Sequence, residues 1–295
     1  MRPRARWHPW IMLGPTVAAL VLFFVVPVAL TAYRSVYAWD MLTAPQYVGA
    51  ANYRALVRSG QAARALTTTL KYSVMVVSGT MALGLALALA LNRPGRLAAF
   101  LRASIFSAYV VSWVSVALLW MWLLDPDNGA VAAVLRRLHV HRVGFLTDPA
   151  TALPTLAGVT IWKLTGYAMV LFSAGLQDVP SSLLEAAALD GAGPVARFRY
   201  VTWPLLRPTA AFVATTSLIV SFQAFDVVRI MTQGGPVHAT ELFMYSIYEQ
   251  VFLDLRIGRA SALTVLFFGV LLGISLLQLW AWRARAPGRG REARP

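Results

Sequence analysis

The chain has 295 residues, 58% of them hydrophobic and only 13% charged, with a mean hydropathy of +0.63; that balance excludes an ordinary water-soluble enzyme and describes an integral membrane protein. The net charge of +14 rests on arginines dispersed mainly through loops and ends, with only two lysines, Lys71 and Lys163, so it marks the flanks of membrane spans and no nucleic-acid surface. There is no cysteine, which excludes disulfides, thiolate metal sites and cysteine nucleophiles.

About 20 predominantly apolar residues cross a bilayer as an α-helix, and six segments qualify: roughly 10–32, 70–91, 104–124, 152–176, 208–229 and 260–282. The first follows Arg2, Arg4 and Arg6 as a signal peptide would, but its apolar run is too long and lacks a small-residue cleavage site, so an uncleaved helix is predicted. In the segment 34–66 the periodic stretch from Tyr53 to Val57 predicts a short interfacial helix. The third span, SIFSAYVVSWVSVALLWMWLL, carries no charge.

Lys163 lies near the middle of the fourth span. A lysine there costs about 2.5–3.5 kcal/mol on insertion scales, so it is expected to face a bundle interior or an aqueous cavity. Two readings stay open: its ammonium binds a solute hydroxyl or acidic substituent, or it pairs structurally, for instance with Asp226. Tyr167 and Thr160 share its helical face. Ser217, Ser221 and Gln223 add polar atoms to the fifth span, where serines join helices as readily as they touch solute. Gly234-Gly235-Pro236 predicts a tight turn before the sixth span, which ends in aromatics followed by Arg283 and Arg285.

Between spans four and five runs the polar segment PSSLLEAAALDGAGPVARFRYVTWP, Pro180 to Pro204. Ser182 and Glu185 have the spacing of a capping box, Gly191 suits the left-handed turn that ends a helix, and Pro194 can open a second helix. Leu184, Ala187, Ala188 and Gly191 share one nearly flat face, suited to docking in another protein's groove. A Walker A loop requires G-x-x-x-x-G-K-[ST]; Lys71 follows Leu70 and Lys163 follows Trp162, so this chain has none. The histidines, His8, His139, His141 and His238, lie in loops or at the terminus without a G-x-S-x-G or H-E-x-x-H, which argues against an intramembrane hydrolase. No internal repeat is found, and little intramembrane acid, which argues against a secondary transporter acting alone.

The pattern Glu185-Ala186-Ala187, three residues, Gly191, nine residues, then Val201-x-Trp203-Pro204 resembles the EAA loop of membrane subunits of bacterial binding-protein-dependent ABC importers. Val201 and Trp203 stand where the family usually has Ile and Leu. Gln223, Asp226, Thr232, Gly234-Gly235-Pro236, Thr240, Tyr248, Phe252, and Gly258 with Ala260-Ser261-Ala262 are similar to the sugar branch, as is LDPDNGAVAAVL after the third span. A departure is Ser107-Ala108-Tyr109, where relatives commonly carry a proline, and it puts a local kink in doubt.

The resemblance implies an all-α membrane protein with six transmembrane helices and a cytoplasmic coupling helix between helices 4 and 5. It implies residues 1–66 as tail, first helix and outer loop, 67–284 as the permease domain, and 285–295 as a basic cytoplasmic tail. The implied function is the permease subunit of an ATP-driven importer of a sugar or oligosaccharide, working by alternating access, with no cofactor and no catalysis of its own. Alternatives are a family permease for a polyol or glycerol phosphate, or a stand-alone carrier. Glu185, Ala186, Ala187, Asp190, Gly191 and Pro204 are the implied coupling residues; Lys163, Tyr167, Ser217, Ser221, Gln223 and Asp226 line the candidate solute pathway; Gly234, Gly235 and Pro236 mark the candidate docking site for a binding protein. Implied partners are two copies of an ATPase, a second homologous permease (a hetero-pair being commoner in this branch), an extracytoplasmic solute-binding protein and membrane lipid, with no nucleic acid. The implied location is the bacterial cytoplasmic (inner) membrane with both termini cytoplasmic, an orientation that the arginine density of the 92–103 loop and the tail also favours.

Overall fold

The computed structural model describes residues 8–139 and 143–283; the basic tail 285–295 and His141 lie outside the described residues. By contact the chain forms two compact units, Met1–Ala63 with Ile247–Pro295, and Arg64–Ser246.

In the first unit, α1 runs through His8–Leu20, a π-helical turn at Val21–Val25, and Val26–Arg34. From Met12 onward its large apolar side chains, Phe23 and Phe24 among them, are exposed, as a lipid-facing helix requires. A two-stranded hairpin follows, β1 (Tyr37–Ala38) against β2 (Gln46–Tyr47), with Tyr37 opposite Tyr47. The Asp40 carboxylate closes its loop, accepting hydrogen bonds from the Thr43 N–H at 2.8 Å, the Thr43 hydroxyl at 2.8 Å and the Leu42 N–H at 3.0 Å. Those donors, the Thr43 N–H foremost, hold its pKa below the ordinary 3.8. Helix α2 (Ala51–Arg58) covers the predicted short helix and buries Asn52 and Leu56. The Asn52 amide donates to the Ser35 and Tyr37 carbonyls at 2.8 and 2.9 Å, so the hairpin's base is tied to α2 by a buried polar group with its bonds made. The final helix, α12 (Ile257–Arg283), packs against α1 and α2.

The second unit holds α3 (Gln61–Ala90, of which the first three residues belong to the other unit), α4 (Arg96–Val110), α5 (Trp113–Leu123), α6 (Ala130–Arg137), α7 (Pro149–Gln177), α8 (Ser181–Leu189), α9 (Pro194–Phe222), α10 (Asp226–Met231) and the start of α11 (Phe243–Tyr248). Helix α7 is its axis: Leu156, Ala157, Leu164, Ala168, Met169 and Phe172 are all buried. Small residues let its neighbours approach, which is how membrane helices pack when lipid offers no hydrophobic contrast. Gly166 meets α4 so closely that a Cβ would lie 2.5 Å from the Ile105 carbonyl oxygen.

Among the described residues, five helices are long and apolar enough to cross a membrane: Met12–Arg34, Gln61–Ala90, Pro149–Gln177, Pro194–Phe222 and Ile257–Gln278. The third predicted span is broken into α4 and α5, bent by 102° at Val111 and Ser112. The fifth is displaced from 208–229: Pro194 opens it at its first position, and Phe222 ends it with Gln223 as C-cap. An apolar window cannot see the helical extension through Arg197, Arg199 and Arg207, because hydropathy reports depth in the bilayer and helix length follows from capping.

Candidate functional site

Two regions of the second unit carry the candidate residues: the α8 loop and the break between α4 and α5. At the first, the expected capping box is absent. Pro180 is the N-cap of α8 and no side chain caps it. Ser182 therefore sits inside the first turn, out of register for a bond with Glu185, because a capping box needs its serine at N-cap and its acid at N3. Glu185 is exposed and makes no hydrogen bond or ion pair among the described residues.

The other end of α8 is as predicted. Gly191 takes φ +81°; its N–H donates to the Ala188 carbonyl at 3.1 Å, and the Ala192 N–H reaches the Ala187 carbonyl at 2.9 Å. These two bonds make a Schellman motif. The expected flat face is divided: Leu184 and Ala187 are half-buried, while Glu185, Ala186, Ala188 and Asp190 are exposed, as are Leu183 and, at 90%, Leu189. Helix α8 thus carries large apolar side chains, Leu183 and Leu189, on its exposed surface.

From Pro194 the chain enters α9 without a break. A π turn at Phe198–Thr202 lies just before Pro204, and the Trp203 N–H donates to the Phe198 carbonyl. Proline removes one donor from a helix, and a single wider turn absorbs the mismatch without ending it.

At the break, Lys163 is 2% exposed. Its ammonium donates to the carbonyls of Ala108 at 3.2 Å, Tyr109 at 3.0 Å, and Val111, and lies 4.9 Å from the Trp113 ring centre. The suggested pairing with Asp226 is therefore replaced by carbonyls at the end of α4, while Asp226 stands at the start of α10, which packs on α5. Tyr167 is stacked on Tyr109, centroids 4.9 Å apart at 18°.

The remaining pathway candidates are dispersed. Ser221 is buried, its hydroxyl 2.8 Å from both the Ser73 hydroxyl and the Leu218 carbonyl, which compete for its one hydrogen. Ser217 is buried with its hydroxyl unpartnered, and Gln223 is exposed at the end of α9. Thr160 meets the Tyr72 hydroxyl at 2.6 Å. Gly234-Gly235-Pro236 forms a turn clasped by Thr240, whose hydroxyl donates to the Gly235 carbonyl at 2.6 Å. Pro236, Gly235 and Thr232 line a cavity of about 420 Å³ with Met121, Leu124 and Phe145. No cluster of metal-ligating side chains occurs among the described residues.

The model of the family described as binding-protein-dependent transport system inner membrane component matches residues 80–285. The chain belongs to that family. It is 31% identical over 276 residues to the sn-glycerol-3-phosphate transport system permease protein UgpA of Rhizobium meliloti, with 92% of each chain covered. It is 30% identical to UgpA of Agrobacterium fabrum at the same coverage. Its fold is similar to a crystal structure of a bacterial ABC transporter involved in the import of the acidic polysaccharide alginate, at TM-score 0.81 and 23% identity over 95% of this chain and 96% of that one. A second structure, of the bacterial alginate ABC transporter in complex with alginate pentasaccharide-bound periplasmic protein, gives TM-score 0.83 and 24% identity over 96% of each.

The chain is therefore a membrane component of a binding-protein-dependent transport system. Sequence reasoning missed Tyr109, Ser73 and Tyr72 because each acquires its role from a partner far away in the chain. The periodic placement of polar groups on α3, with Thr69, Ser73 and Thr80 all buried, could have signalled Tyr72 and Ser73; nothing local pointed to Tyr109.

Proposed function

We propose that this permease translocates a sugar or oligosaccharide in an ATP-driven importer, with α8 as its docking element for a separate ATPase. The observation that carries the reading is the bare face of α8, ended at Gly191 and presenting Glu185 without an internal partner. A fold that needed Glu185 for its own capping would give it a bond; here the carboxylate is left for another chain. Helix α8 leads through Pro194 into α9, so a push on the loop reaches the core that holds Ala210 and Val213. Tighter binding of ATP to a closed ATPase pair supplies the bias between inward-open and outward-open states.

With the α8 loop in the cytoplasm, the Gly234–Pro236 turn and the cavity beside it take the outer side, where a solute-binding protein delivers its cargo. The partners in this reading are two ATPase copies and a second permease. Both chain termini are cytoplasmic.

Sequence identity to UgpA proteins favours a second reading of the solute, glycerol phosphate, within the same mechanism. The test is reconstitution with ATPase, partner permease and binding protein. ATP-dependent uptake of labelled oligosaccharide, lost in Glu185→Lys with membrane insertion intact, supports the proposal. Uptake unaffected by Glu185→Lys removes the coupling role, and uptake of glycerol phosphate alone selects the second solute.

A further inference from the structure

We propose that Lys163 is the positioning residue that keeps the α4–α5 span broken, replacing a proline by a side-chain cap, and thereby sets Tyr109 against Tyr167. A helix end leaves its last four carbonyls without intrahelical donors, and in lipid nothing else satisfies them. Helix α4 ends at Val110 in the middle of an apolar stretch, with neither proline nor glycine between Ile105 and Leu124. The three ammonium N–H groups of Lys163 meet three carbonyls there, those of Ala108, Tyr109 and Val111. The charge also sits at the negative pole of the α4 dipole, and the Trp113 ring covers it from the side of α5. With its donors filled and its surface 2% exposed, Lys163 has nothing left to offer a solute.

The same device recurs at another helix end: Arg102 donates to the Leu91 carbonyl, just past α3, at 2.6 Å. The backbone at the break is already that of an X-Pro step. Ser112 has φ −56°, and Val111 has φ −65° and ψ 143°, values that proline and its preceding residue adopt. The Ser112 N–H donates to nothing among the described residues. Ser112→Pro therefore matches the backbone dihedrals, gives up no hydrogen bond and offers a second way to hold the bend.

The absence of cysteine allows two labelling sites to be introduced, at Leu97 and Trp122, both well exposed on the two arms. With a 102° bend their backbones lie roughly 24 Å apart, against about 37 Å along an unbroken helix at 1.5 Å per residue. The experiment measures that spacing by pulsed electron spin resonance on the full chain in lipid nanodiscs, alongside uptake. Only the uptake readout depends on the proposed transport reading.

In Lys163→Met the spacing lengthens or broadens towards the straight value and uptake is lost. Lys163→Met with Ser112→Pro regains both the short spacing and uptake. A short, sharp spacing in Lys163→Met, whether or not uptake survives, overturns the proposal; loss of uptake alone would assign the lysine to solute. Where Lys163→Met fails to accumulate in the membrane, restored accumulation with Ser112→Pro supports the cap, and continued failure overturns it.

Discussion

The Ser221 hydroxyl donates to the Ser73 hydroxyl at 2.8 Å, joining α9 to α3 across 148 positions of sequence. Both side chains are buried, so this pair joins helices. Ser221→Ala is expected to cost about 0.6–1.7 kcal/mol, the range measured for interhelical hydrogen bonds in membrane proteins. Thermal unfolding in detergent checks this. A raised KM for solute with unchanged stability would reassign Ser221 to the pathway.

Gly191 separates two demands placed on one position. Its φ of +81° disfavours any side chain, yet a Cβ there would meet nothing within 4 Å inside the chain. Gly191→Ala therefore carries the left-handed backbone penalty of about 1–2 kcal/mol, while Gly191→Asn carries less, because asparagine tolerates that region. If an ATPase docks on this surface, both variants insert normally and both lose uptake. Full activity in Gly191→Asn would mean that the glycine serves the turn alone.

Arg102→Leu deprives the carbonyl of Leu91 of its charged donor at the end of α3. The expected loss is about 1 kcal/mol, the upper part of the range for a cation at an exposed helix C-terminus, read as a lowered unfolding midpoint. Arg102→Lys recovers part of it, since a lysine can still reach a single carbonyl.

Asp40 carries a pH dependence of defined sign. Its carboxylate pKa is lowered by the Thr43 N–H, the Thr43 hydroxyl and the Leu42 N–H. The loop's ordering is therefore present above the ordinary carboxylate value and fades as pH falls through the lowered one. Amide exchange of Thr43, corrected for intrinsic rate, is expected to be protected near neutrality and unprotected in acid. Asp40→Ala removes the protection at every pH.

The fold class was legible because apolar runs of membrane length leave little choice of structure. The α8 turn was legible for a similar reason: Gly191 and Pro194 act through the backbone alone, so their effect does not wait on tertiary context. The bend at Val111 and Ser112 was not legible. Its donor is Lys163, more than fifty residues downstream, and the local sequence holds neither proline nor glycine. The capping box failed for a local reason, since Pro180 takes the N-cap position and moves Ser182 two places into the helix. At the pathway candidates, polar side chains told of burial in the membrane but not of direction. Ser221 turned out to face Ser73, and Asp226 to begin a separate helix.

Helix α9 runs from Pro194 to Phe222 as one body of 29 residues, a beam of about 43 Å. Its π turn widens the winding without introducing a joint. If another protein does push on the α8 loop, a helix of this length would carry the displacement from Gly193 towards the level of Ser217 and Ser221.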